Sequence, residues 1–291
     1  MGTINRDGLL EQFKAHLSDS GLAPATVVNY SADLRAFFRW CEETNDVVSS
    51  PFCLDSSEIQ AFCSYLRDTK KQAPATVNRR LQALRKFYSL AITQGWTLTN
   101  PAEDASLLSE SASERSRSLA PEDVAHLLDT VRHSRPRWAA RDWAIFQVLL
   151  GAGLKLGELT ELRICDVRLD AGEPYLLARS SPGDPGRTIP VEAEVCDALD
   201  SYLSKRQAAE GVDHFFVNRD GNPLSTRSVQ RLLHYYAQAA DLDGLTTQAL
   251  RFVYAQKLYE SCGDLKMVAQ YLGHRHLATT IRYLRPTLSS E

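Results

Sequence analysis

TQALRFVYAQKLYESCGDLKMVAQYLGHRHLATTIRY, residues 247–283, is the stretch on which the reading of the chain turns. Two helices are expected in it, over 247–262 and 264–272, with Gly263 between them. Arg251 lies in an otherwise apolar helix, Gly273-His274 closes the next one, and Tyr283 follows nine residues after His274. Each of these has an ordinary structural reading. Tyr283 could pack a helix end, Arg251 could make a core salt bridge, and His274 could cap a helix. Arg251 and His274 are 23 residues apart, and Tyr283 stands nine further on.

Working outward, helices are expected at 121–133, 138–151, 156–164, 192–209 and 225–240. Strands are expected at Tyr175–Ala178 and Arg187–Val191, joined by a turn through Pro182-Gly183-Asp184-Pro185-Gly186, with a further short strand at Phe215–Val217. The first third differs. Leu9, Leu10, Phe13 and Leu17 recur at helical spacing over 6–20. Val27, Tyr30, Leu34, Phe37, Phe38 and Cys41 make one face over 25–44. A third helix is expected over 56–68, with Ser56 as its N-cap. A fourth, over 75–94, has Val77, Leu81, Leu84, Phe87, Tyr88 and Ala91 on one side and Arg79, Arg80, Arg85 and Lys86 on the other. Residues 1–105 therefore read as an all-helical domain. Residues 106–120, Ser-rich and aperiodic, read as a linker, and 121–291 as a mainly α domain with a small β-hairpin.

Bulk properties are permissive. The chain has 291 residues, 44% hydrophobic and 24% charged, enough for two domains. The net charge of −3 gives no global basic footprint, so any nucleic-acid binding rests on a local face. No apolar run of membrane-spanning length and no signal peptide is visible. The six Cys lack CxxC spacing and read as core thiols in a reducing cytoplasm rather than as metal ligands.

Five ordered segments resemble the tyrosine recombinases, the phage-integrase family and its Xer-like members above all. Thr26, Asn29 and Tyr30 with the basic fourth helix ending in Asn100-Pro101 are similar to that family's SAM-like core-binding domain. GAGLKLGELTELRICDV at 151–167 resembles its first catalytic segment, and FFVNRDGNPLSTRSVQRLL at 215–233 the stretch before the second. ALR at 249–251, with LGH at 272–274 and Tyr283, matches the second segment and the nucleophile box.

The resemblance implies a chemistry. A tyrosine oxygen attacks a DNA phosphodiester, making a 3′-phosphotyrosyl bond that conserves bond energy for strand exchange. Two arginines grip the phosphate oxygens, a hairpin lysine protonates the leaving 5′ oxygen, and a His before the second Arg with a later His or Trp completes the set. No metal or nucleotide cofactor is implied. Carried over, Tyr283 is the nucleophile, Arg251 the second Arg and His274 the later His. Lys155 stands at the first Arg position, Gln248 at the first His, and Pro182 near the hairpin Lys, with Arg179 and Arg187 the basic residues close by. Glu158 reads as the structural partner of a nearby base. Loss of one preorganised donor costs about 2.7–4 kcal/mol. Loss of a general acid costs about 100- to 10,000-fold in rate.

Duplex DNA is the implied partner, clamped between the two domains, with Thr26, Asn29, Tyr30, Arg79, Arg80, Arg85 and Lys86 facing it. Dimers paired into a tetramer, or pairing with a second recombinase, are the implied assemblies. The alternative is a non-catalytic DNA-binding partner or regulator on the same scaffold. The residues after Tyr283, interrupted by Pro286, are too few for a helix exchanged between protomers.

Overall fold

The computed structural model describes residues 6–44, 50–108, 119–133, 138–170, 172–181, 183–242 and 244–288. The chain divides into two compact units, Met1–Ala112 and Ser113–Glu291.

The first unit is built from α1 (Arg6–Asp19), α2 (Pro24–Thr44), α3 (Ser56–Ser64) and α4 (Pro74–Thr93). Their apolar stripes converge on buried aromatic rings. Phe87 meets Phe13 edge-on at 5.7 Å and Phe38 at 5.6 Å, while Phe37 meets Phe62 at 5.1 Å. Such pairs add to burial because ring edges and faces carry opposite partial charge. The N-cap of α3 is Asp55 rather than Ser56. Asp55 accepts from the Ser57 amide at 2.7 Å, and Glu58 accepts from the Asp55 amide at 2.8 Å, a reciprocal box that a serine at 56 would not form. A π-helical turn, Tyr65–Thr69, extends α3. Leu108 exchanges two 2.8 Å hydrogen bonds with the Asn78 side chain, so the described start of the supposed linker is fastened to this unit.

The second unit holds α5 (Pro121–His133), α6 (Ala139–Gly151), α7 (Leu156–Glu161), β1 (Val167–Arg168), β2 (Tyr175–Ala178), β3 (Arg187–Pro190), α8 (Ala193–Leu203), α9 (Thr226–Ala239), α10 (Thr247–Cys262), α11 (Leu265–Leu272) and α12 (Leu277–Leu288). The strands form one antiparallel sheet in the order β1-β2-β3, with Leu176 opposite Ile189 and Ala178 opposite Arg187. β1 was not expected, because two residues leave no periodicity to read. Nearly every side chain along α6 from Ala144 to Leu150 is buried. Asp142 at its start is held by Arg141 and by the Tyr236 hydroxyl at 3.0 Å.

Two expectations fail here. The helix expected to reach residue 209 stops at Leu203, because Arg206 turns back to donate to the carbonyls of Val212 and Phe215, both at 3.0 Å, and of His214. Phe215–Val217 is no strand, because Phe215 and Phe216 form a bend. Only isolated bridges, Arg163 to His214 and Val217 to Pro223, flank it. At the end of the chain α12 runs through Tyr283 and on past Pro286, whose missing N–H removes one bond from its last turn.

Among the described residues no helix is long and apolar enough to cross a membrane, and no group of His, Cys, Asp and Glu could hold a metal ion.

Candidate active site

Glu158 is the hub of the site. It sits in the first turn of α7 with its side chain only 1% exposed. Arg187, arriving from the first position of β3, grips it with both terminal nitrogens, at 2.7 and 2.9 Å. The Lys155 amide donates to it at 2.8 Å, Ser180 Oγ at 3.3 Å, and Lys155 Nζ stands 3.7 Å away. Arg251 Nη1 lies 3.9 Å from its other oxygen. Burial alone would raise the Glu158 carboxyl. The Arg187 hydrogen bonds, the Lys155 amide and the two positive charges outweigh that and hold it below the ordinary 4.5.

Arg251 is buried in the second turn of α10 and donates to two carbonyls, those of Gly153 and Leu272. Both acceptors lie at turns that need glycine. Gly153 has φ +57°, and a Cβ there would come within 2.3 Å of the Tyr254 ring. Gly273 caps α11 in the left-handed region (φ 64°), where a Cβ would lie 3.0 Å from Arg187 Nη1. Arg187 Nε donates to the Tyr271 carbonyl at 2.6 Å, so the hairpin is pinned to the end of α11, just ahead of His274.

His274 Nδ1 is 2.9 Å from Thr280 Oγ1, and its ring meets Tyr283 edge-on at 5.6 Å. Burial, then the charges of Arg251, Lys155 and Arg187, pull its pKa down to about 4, so the imidazole is neutral at pH 7. Tyr283 also packs on Phe252 at 5.5 Å and donates to the Gln248 carbonyl at 3.2 Å. Burial pushes its phenol up to about 12 against the pull of Arg251.

Lys155, Arg251, His274 and Tyr283 are thus brought together. Gln248 joins through its backbone, while its side chain is exposed. Pro182 lies outside the described residues. Arg179 is turned away to Asp166, whereas Arg187 enters the site. Its basic character was legible in the sequence, but its destination depends on the hairpin register.

The seven residues expected to face DNA lie on α2 and α4. Asn29 and Lys86 are exposed, and Thr26 and Tyr30 are half-buried. Arg79 pairs with buried Asp33, and Arg80 Nε stands 3.5 Å from the same carboxylate. Arg85 departs from the expectation. It donates to the carbonyls of Ala102 at 3.0 Å, Glu103 at 3.1 Å and Ala105 at 2.7 Å, and so serves the fold of its own unit.

Comparison with known proteins bears on this geometry. Residues 117–289 match the phage integrase family, and residues 9–98 match the phage integrase N-terminal SAM-like domain. The chain is 30% identical to the tyrosine recombinase XerD of Lacticaseibacillus casei, over 95% of this chain and 93% of that one. It is 32% identical to the tyrosine recombinase XerC of Salmonella typhi, over 90% and 85%. Among solved structures, the Tn1549 transposon integrase in complex with a circular intermediate DNA superposes with a TM-score of 0.78 at 17% identity, covering 94% of each chain. The XerH site-specific recombinase bound to palindromic difH substrate gives 0.76 at 21% identity, covering 89% of this chain and 76% of that one.

Proposed function

The chain belongs to the phage integrase family, and we propose from its site that it is an active site-specific tyrosine recombinase that cleaves and rejoins duplex DNA through Tyr283. One observation carries this reading: Tyr283, on a separate helix, is held beside a buried guanidinium and a neutral imidazole in a cluster dominated by positive charge. A phosphodiester under attack gathers negative charge on its non-bridging oxygens, and preorganised cations stabilise it without reorganising. Arg251 is fixed through two backbone carbonyls, and Lys155 lies at the rim with 48% of its side chain exposed.

In the mechanism this supports, the phosphate binds against Arg251 and Lys155, and the Tyr283 oxygen attacks phosphorus. The 3′-phosphotyrosyl bond forms as the bond to the 5′ oxygen breaks. His274, neutral, donates a hydrogen bond to a phosphate oxygen without carrying charge. Lys155 in place of a guanidinium keeps the charge but offers no two-pronged grip. The loss is smaller than the roughly 2.7–4 kcal/mol of deleting a donor, so a slower enzyme is expected rather than an inert one.

The DNA-facing set on the first unit, Thr26, Asn29, Tyr30, Arg79, Arg80 and Lys86, extends the reading to backbone contacts along the duplex. Self-association on paired sites, or pairing with a second recombinase, follows from the same reading. The test is covalent capture. A duplex recovered by its binding to the full chain from a random-sequence pool, nicked at successive positions, is expected to yield a protein–DNA adduct that survives denaturation. Tight sequence-selective binding with no adduct at any nick position favours the binding-only alternative.

A further inference from the structure

We infer that Lys155 is the proton donor to the departing 5′ oxygen, and that Arg187 is the positioning residue that frees it for that task by occupying Glu158. The inference rests on the recombinase reading above and assigns within it a role for which the sequence from Tyr175 to Val191 holds no lysine.

The geometry decides between the groups of the cluster. Arg251 and Arg187 keep their protons at any relevant pH, and Gln248 has none to give. His274 is already neutral at pH 7, with its pKa drawn down to about 4. Lys155 is the amine of the cluster among the described residues, and half of its side chain is open to a ligand. Charged groups approach it from the elements around the hub, Glu158 on α7, Arg251 on α10 and Arg187 on β3, with the neutral His274 beyond α11.

Glu158 would ordinarily hold such an ammonium. Here both its oxygens are taken by Arg187 at 2.7 and 2.9 Å, and the Lys155 ammonium is left at 3.7 Å, beyond a good hydrogen bond. One carboxylate thus faces three cations, and shedding a proton relieves that excess. Burial, then the Arg251 and Arg187 charges, hold Lys155 below its ordinary 10.5 against the pull of Glu158.

The step balances. The Tyr283 oxygen bonds to phosphorus, the bond from phosphorus to the 5′ oxygen breaks, and the Lys155 proton goes to that oxygen. The proton released by the phenol restores the ammonium through solvent. Phosphodiester and phenol become phosphotyrosine and a 5′ hydroxyl.

A substrate with sulfur in place of the bridging 5′ oxygen tests this, because a thiolate, whose conjugate acid has a pKa of about 8.5, leaves without a proton. The duplex and cleavage point are those of the covalent-capture experiment. With the oxygen substrate, Lys155→Met is expected to lose about 100- to 10,000-fold in adduct formation. With sulfur the part of the loss due to proton transfer should be regained, leaving the part due to the missing phosphate-binding charge. Lys155→Arg, which keeps that charge but gives up no proton, is expected to lose activity on oxygen and to recover to within about tenfold of the wild-type chain on sulfur, and matched melting curves confirm that both variants are folded. Arg187→Gln, with Arg187→Lys as the milder variant, should move the alkaline limb of the rate profile to higher pH, because Glu158 then captures the ammonium. A Lys155→Met defect that is equal on oxygen and sulfur overturns the assignment while leaving Tyr283 cleavage intact. An unmoved alkaline limb in both Arg187 variants overturns the positioning role. No adduct with the wild-type chain on either substrate overturns the cleavage reading and this inference with it.

Discussion

At the scale of the residue, Glu158 illustrates how a buried carboxylate can organise cations it does not neutralise. Removing it should unbalance three positive groups at once. Glu158→Gln is expected to cost about 3–5 kcal/mol, the usual consequence of breaking a buried ion pair from one side, measured by urea unfolding at pH 7. Its pH dependence has a definite sign. The folded pKa is held below 4.5, so its contribution is complete above that value and is lost as pH falls through the lower folded pKa. His274 acts at higher pH with the same slope. Its folded pKa is about 4 against 6.5, so the unfolded chain binds the extra proton between those values and stability falls as pH drops through that window. Comparing wild type with His274→Gln across pH 4 to 7 checks this; the variant should show the shallower slope.

At the scale of the element, the turns matter as much as the helices. Gly273 combines a left-handed backbone with close approach to Arg187, so Gly273→Ala should cost at least about 1–2 kcal/mol and lower adduct formation by displacing both Arg187 and His274. Arg85→Ala should cost about 1.5–3 kcal/mol in the stability of the first unit, from lost bonds between a charged donor and backbone carbonyls. It should leave the salt dependence of DNA binding unchanged. Lys86→Ala should leave stability unchanged and lower that salt slope by about one.

These elements show what a sequence discloses. Arg251, His274 and Tyr283 were legible through the resemblance, because they stand at the 23- and nine-residue separations of the recombinase segments. The aromatic stripes of α1 to α4 were legible because helical spacing carries over to three dimensions. Arg85 was not: its exposed-looking position on α4 says nothing of the carbonyls of 102–105 that fold back to meet it. Arg187 and Glu158 come together only through the β2–β3 register, Leu176 opposite Ile189, which turn residues alone do not specify. The end of α8 was misplaced because Arg206 bonds to carbonyls up to nine residues away, beyond any local propensity.

At the scale of the whole molecule, a chain of net charge −3 must bind DNA through local faces rather than bulk attraction. Its affinity should therefore fall linearly in log–log coordinates with salt, with a slope set by the number of phosphates neutralised. Cleavage, however, is a covalent event. A radiolabelled, nicked suicide duplex is incubated with the full chain and resolved on a denaturing gel. A labelled adduct with the wild-type chain, absent with Tyr283→Phe although that variant still binds the duplex, is the predicted result. An adduct that persists in Tyr283→Phe, or none with a wild-type chain that binds the same duplex tightly, would contradict it.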